Sequence, residues 1–323
     1  MKTLTKFTSF LSKPYITIGA SLVRIGFGLL LIYFYVIHYS QRDYLWGPNG
    51  LIDFNEFIEI LNNSNSFSLY ALSNSELYFD IIFHIGIIAA LLFTLGYKGR
   101  FISIVNFILV FSIHERNHMI LDGGDNITRI LLFYLIFAQT TKHFSIDSYL
   151  AKKRNKSSES SFYSNALHNV AVLASITQLC VLYLNSAYYK VMGEVWQNGT
   201  AIYYILQVEE FSHPFFRSII SSSDFLIVVG TYGTLLVQMA FPFLLFNKKT
   251  KYIGLILVVG MHLGIAIVMG LYTFSATMLV IDLLLISNED YRKAYKYLNS
   301  LATKLLGRKV SEKNSKAEST LSS

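Results

Sequence analysis

Apolar residues run almost unbroken through 18–38, 78–96, 101–119, 126–141, 166–187, 224–246, 252–270 and 272–287, and polar residues collect in the gaps between these stretches. A helix needs about 20 mostly apolar residues to cross the hydrocarbon core of a bilayer. The pattern therefore predicts an all-α, polytopic transmembrane helix bundle of about eight spans, with 126–141 and 272–287 the shortest. The first span carries Arg24 and is followed by SQRDYLWGPNG, without a small-residue cleavage site, so it is expected to stay as an anchor.

The gaps have patterns of their own. DFNEFIEIL opens with Asp53 and Glu56 in capping-box spacing and sets Phe54, Phe57, Ile58 and Leu61 on one helical face. It is expected to lie flat on the outer leaflet. The segment 188–223 is too long for a simple turn and is broken by His213-Pro214; a lid or peptide-contact surface is expected there. AKKRNKSSESS near 151–162 divides the spans into two sets of four, with no internal repeat. Residues 1–17 are read as a cytoplasmic N-terminus and 18–287 as the transmembrane domain. Residues 288–310 form a basic amphipathic cytoplasmic helix with Tyr291, Tyr295, Leu298, Leu301 and Leu305 on one face, and 311–323 a disordered tail.

Composition agrees, with 53% hydrophobic residues and a mean hydropathy of +0.44, far above a soluble domain of this length. Placing the N-terminus inside puts 21 of the 27 Lys and Arg residues on the cytoplasmic side, as the positive-inside rule requires. The net charge of +7 is thus topological, and no nucleic-acid partner is expected; membrane lipid is. The exceptions are Arg24, Arg42, Arg116, Arg129, Lys190 and Arg217, and these basic residues need another explanation. Cys180 is the single cysteine, so no intramolecular disulfide forms.

Candidate chemistry gathers where the chain turns on the outer side. HERNHMILDGGDNITR, His114 to Arg129, puts more ionisable groups at a turn than helix capping needs. His114, Glu115 and Asp125 are candidate catalytic groups, and Arg116, Asn117, Asp122 and Arg129 candidate substrate contacts. His114 to His118 also spells H-E-x-x-H, which on a helix presents two imidazoles and a carboxylate to zinc, with Asp122, Asp125 or Glu194 available as a third ligand. In YYKVMGEVWQNGTA, Lys190 at the outer end of the fifth span is a candidate base, with Glu194 and Trp196 as substrate contacts. His262 in the seventh span is the best buried proton relay, between Gly260 and Gly264, whose spacing permits close helix approach.

Taken in order, a span ending in Arg116-Asn117, then GGD, Arg129 and LLFYLIF, then YYKVMGEVWQNGTA and FPFLLFNKKTKYIGLILVVGMHLGIAIVMGLYTFS, the chain resembles the HTTM family related to vitamin K-dependent γ-carboxylase over 18–287. The resemblance implies a helix bundle with an outward-facing active region. It also implies a lysine base that deprotonates a reduced quinone, for which Lys190 is the matching residue. Carboxylation itself is not implied, because nothing here corresponds to the carboxylases' large lumenal domain. Within the family the likeness is strongest to members that mature a secreted, sporulation-delaying peptide toxin precursor together with a small companion maturation protein. The expected function is that of such a factor. The alternatives are a quinone-coupled modifying enzyme, an H-E-x-x-H zinc protease, and a non-catalytic export or immunity protein. The cofactor is unassigned, a quinone fitting the resemblance better than zinc.

Overall fold

The computed structural model describes residues 11–154 and 161–321. Among them the fold is all-α, with one isolated bridge, Asn49 to Asp53. The helices used below are α1 (Thr17–Ile37), α2 (Phe54–Asn63), α3 (Glu76–Leu95), α4 (Gly99–Arg116), α5 (Gly123–Leu135), α6 (Ile146–Lys153) and α7 (Phe162–Val191). They continue with α8 (Ala201–Gln207), α9 (Pro214–Ser221), α10 (Asp224–Leu244), α11 (Lys248–Met269), α12 (Tyr272–Asp282) and α13 (Asn288–Leu321).

Five of these, α1, α3, α7, α10 and α11, are long and apolar enough to cross a membrane. The stretches expected as the third, fourth and eighth spans are the shorter helices α4, α5 and α12. At 13 residues, α5 is only about 20 Å long. The long helices are apolar all round: Leu29, Tyr33 and Val36 on α1, and Ile253, Ile256 and Ile267 on α11, are exposed. Large apolar side chains turned outward from every long helix make a surface suited to lipid, and this is a membrane protein.

On α1 the inward side is built by Ala20, Val23, Phe27, Leu31 and Tyr35, all buried at the three- and four-residue steps of one helical face. That face packs on α3 and α12. Helix α12 also contacts α5 and α11, so it joins the first group of helices to the second, α7, α10 and α11. Arg24 shares the buried face of α1 and is fully enclosed. Its guanidinium donates to the Phe93 and Thr94 carbonyls at 3.1 and 2.8 Å and to the Phe144 carbonyl at 2.6 Å. The first two acceptors lie in the last turn of α3, where carbonyls lack intrahelical partners and the helix dipole favours a cation. Gly96 ends that helix in the left-handed conformation (φ 67°), and a Cβ there would strike the guanidinium.

One end of the bundle gathers the predicted cytoplasmic residues. The Thr17 hydroxyl lies 2.9 Å from His143 Nε2, Ile18 N donates to Asn288 Oδ1 at 2.9 Å, and Tyr15 N donates to Asn169 Oδ1 at 2.9 Å. The starts of α1, α7 and α13 therefore meet. Arg100 from one gap and Lys142 and Lys152 from another line one cavity of about 870 Å³ at this end.

Three expectations change. The apolar face of α2 turns into the protein, with Phe57 and Leu61 buried, because Arg116 lies over the Phe57 ring at 4.7 Å. Gly260 and Gly264 meet no atom within 4 Å of an added Cβ. They line an apolar cavity of about 440 Å³ with Ile202, Leu206, Val229 and Gly233, so they open a space where a close helix contact is expected. Helix α13 continues to Leu321, past the expected end near 310, since SEKNSKAESTL contains neither Pro nor Gly to stop it.

Arg24→Ala takes the guanidinium donor from three carbonyls, of which Phe93 keeps the Gly96 N–H, at about 1 to 3 kcal/mol for each group left unpaired where water cannot reach it. The substitution is expected to lower the melting temperature in detergent, read by alkylation of Cys180, and Arg24→Lys to recover only part, since an ammonium lacks the guanidinium fork. A second expectation concerns Asp290, whose carboxylate accepts from the Ser287 and Tyr252 hydroxyls at 2.6 and 2.5 Å. These bonds hold its pKa down at about 2. The stabilisation is present above the unfolded value of about 3.9 and lost as pH falls through about 2. Amide exchange at the start of α13 should accelerate across that window and not above it.

Candidate functional site

The outer turn is built by local rules. Helix α4 stops at Arg116 because Asn117 is extended (φ −153°, ψ 102°) and its Oδ1 accepts from Met119 N at 3.1 Å, a side-chain turn that competes with the helix. His118 is therefore off the helix and exposed, whereas His114 is buried. The helical spacing required by a zinc-type H-E-x-x-H is absent. Among the described residues no three His, Cys, Asp or Glu side chains are placed to hold a metal ion.

The remaining groups of this corner bind one another. Glu115 accepts from Arg129 Nη1 at 2.5 Å, and Arg129 also lies over the Phe111 ring at 5.3 Å. Arg116 donates to the Gly47 and Ile52 carbonyls at 2.5 and 2.7 Å. Asn117 Nδ2 donates to the Leu45 carbonyl at 2.9 Å. Asp122 and Asp125 form a reciprocal capping box at the start of α5. His114 packs edge-on to Phe34, with ring centroids 5.8 Å apart, in a cluster that continues to Trp46. At Gly124 a Cβ would lie 3.1 Å from the Phe274 backbone, so the glycine lets α5 approach α12. Asp125 is half-buried in this turn, outside the long spans, and burial raises its carboxyl to about 6.

The second centre lies at the end of α7. Lys190 Nζ donates to Ser186 Oγ at 2.6 Å and Gln238 Oε1 at 2.9 Å, and lies 5.3 Å from the centroid of the Trp196 ring. Glu194 points outward and is exposed, so the structure brings Trp196 to Lys190 and leaves Glu194 apart. Two turns deeper along α7, the Tyr183 hydroxyl is 2.9 Å from His262 Nε2. Phe274 stacks edge-on to His262 with centroids 5.7 Å apart and lies against Gly123 and Gly124, so a single ring lies between the corner glycines and His262.

These contacts account for the six basic residues that depart from the charge pattern. Arg42, Arg129 and Arg217 have carboxylates, Asp80, Glu115 and Glu209. Arg24 and Arg116 have backbone carbonyls. Lys190 alone among the six is held only by neutral side chains. Ser186 and Gln238 are absent from the sequence expectation. Ser186 was findable at four residues before Lys190 on one helical face, and Gln238 as a polar residue inside an apolar run.

The segment expected to be a lid is a chain of short helices. His213 caps α9 ahead of Pro214, and its backbone N–H donates to the Val268 carbonyl at 2.9 Å. This bond pins α8 and α9 over the apolar cavity between α10 and α11.

The family model described as the HTTM domain matches residues 17–290. The chain is 28% identical over 244 residues to Uncharacterized protein YitO of Bacillus subtilis (strain 168), covering 72% of this chain and 76% of that protein. It is 27% identical over 189 residues to Sporulation-delaying protein SdpB of the same organism, covering 57% of each chain. No solved structure matches.

The Glu115–Arg129 pair is partly buried, so Glu115→Gln is expected to cost about 1 to 2 kcal/mol, between the exposed and the buried limits. A double-mutant cycle with Arg129→Met should show coupling, measured as thermal stability in detergent. If the pair only fixes the corner, loss of activity in Glu115→Gln follows loss of folded protein; an unchanged melting temperature with lost activity assigns Glu115 to the chemistry.

Proposed function

The chain belongs to the HTTM domain family, and on that premise we propose that it is a multi-pass cell-membrane factor that matures a secreted peptide toxin precursor at the outer face, together with a small companion protein. Similarity to a sporulation-delaying protein supports that pathway. The charge-derived topology, with both termini inside, turns the ends of α4 and α7 outward.

In this reading Lys190 is the base. The observation that carries it is the amine's set of partners: no carboxylate is within ion-pair distance among the described residues, and both contacts are neutral. An ammonium donates to Ser186 and Gln238; a neutral amine still donates to Gln238 and accepts from the Ser186 hydroxyl, which can act either way. The site thus satisfies both protonation states, as proton abstraction requires. Trp196 offers a ring face to the peptide or to the cation. Arg116, Asn117, Asp122, Asp125 and the Glu115–Arg129 pair hold the neighbouring corner, with His114 packed behind it.

One observation favours a second reading, a quinone-coupled modifying enzyme. The apolar cavity of about 440 Å³ is lined by Val237 and Met261, which are the chain neighbours of Gln238 and His262. A lipid quinol there would lie against the same two helices as the base.

The test is the mass of the peptide secreted by cells carrying precursor, companion and either wild-type protein, Lys190→Ala or Lys190→Arg, each normalised to membrane abundance. General-base removal lowers rates by about 100-fold or more, so mature peptide should disappear in Lys190→Ala with abundance unchanged. Normal peptide in Lys190→Ala would sink the proposal. A redox-active quinone extracted from gently purified wild type selects the second reading.

A further inference from the structure

Almost every carboxylate described above has a structural task. Asp147 accepts from the Lys98 and Gly99 amides at the start of α4, Asp122 and Asp125 cap α5, Glu115 and Asp80 hold arginines, and Asp290 anchors α13. Asp282 does not fit this series. It ends α12 at 2% exposure, and neither of its carboxyl oxygens has a hydrogen-bond partner among the described residues. The nearest helix with a buried cation, α1, contributes Arg24, whose bonds all go to backbone carbonyls.

Helix α12, which Asp282 ends, packs against α11, where His262 Nε2 lies 2.9 Å from the Tyr183 hydroxyl of α7. Like Asp282, His262 Nδ1 and Ser275 Oγ are buried without partners among the described residues. Tyr183, Ser186 and Lys190 stand three and four residues apart on one face of α7.

An unpaired carboxylate in an apolar interior is far more costly than a neutral acid, and an ionisable group facing the inside of a membrane bundle marks a working site by default. We propose that Asp282 is a proton-binding site buried in the membrane domain, neutral at rest. This site does not rest on the reading of Lys190 as a base.

Infrared spectra of the full-length protein in lipid nanodiscs at neutral pH test it without any substrate. The wild type should show a carboxylic acid C=O band that shifts in D2O and is lost in Asp282→Asn, a near-isosteric replacement for the neutral acid. Lys190→Ala should leave it in place. Wild-type and Asp282→Asn spectra without a difference band would mean an ionised Asp282 and overturn the site. Should Asp282→Asn fail to accumulate, Asp282→Glu with aspartate labelled at the side-chain carbon gives the same reading: the labelled acid band vanishes in the variant if the site is Asp282 and persists if it is not. Retention of the band together with normal peptide maturation in Lys190→Ala would reject the base and keep the proton site.

Discussion

Two guanidinium groups are enclosed in this bundle without a carboxylate, and their need for acceptors organises the first half of the fold. Arginine stays charged under all ordinary conditions, so burial must be matched by oxygen atoms of some kind. Arg24 takes the Phe93 and Thr94 carbonyls at the end of α3 and the Phe144 carbonyl. Arg116 takes those of Gly47 and Ile52 and adds the face of Phe57. Both arginines therefore bind backbone carbonyls at helix ends and in loops, where acceptor capacity is left over. Each fixes a loop to a helix with a geometry that a flexible side-chain partner would not impose.

The same division separates the two chemical regions. At the corner between α4 and α5, acidic and basic groups are consumed by one another and by helix ends, which makes that region stiff. Along the outer part of α7, Tyr183, Ser186 and Lys190 meet side-chain partners without a carboxylate among the described residues. Phe274, between the corner glycines and His262, is the packing contact through which the two regions meet.

Much of this was legible in the residues. The apolar runs gave the helices and an all-α membrane protein, and DGGD gave a capped turn. The basic residues that broke the charge pattern were the ones the fold had to explain, Lys190 among them. What sequence spacing could not supply was direction. H-E-x-x-H assumes that a helix continues, and Asn117 ends it with its own side chain. The apolar face of α2 reads as lipid-facing until Arg116 is seen to cover Phe57. Gly260 and Gly264 read as a contact surface, whereas the empty space in front of them depends on where α8 and α9 come to rest. Asp282 is an acid in an apolar run that the sequence reading passes over, because its isolation is a property of the assembled core.

The Arg24 clamp also has a consequence for biosynthesis. Its three acceptors lie 69, 70 and 120 residues further along the chain, so the first helix emerges from the ribosome long before the last of them exists. An arginine within a lone inserted helix is costly, by about 2.5 to 3.5 kcal/mol at its centre. The first segment is then held at the insertion machinery, or sits shallowly in the bilayer, until α3 and the chain beyond Phe144 arrive. Assembly of the N-terminal half is thereby tied to translation of its last part, and a chain truncated before residue 144 carries an unsatisfied cation that marks it as incomplete.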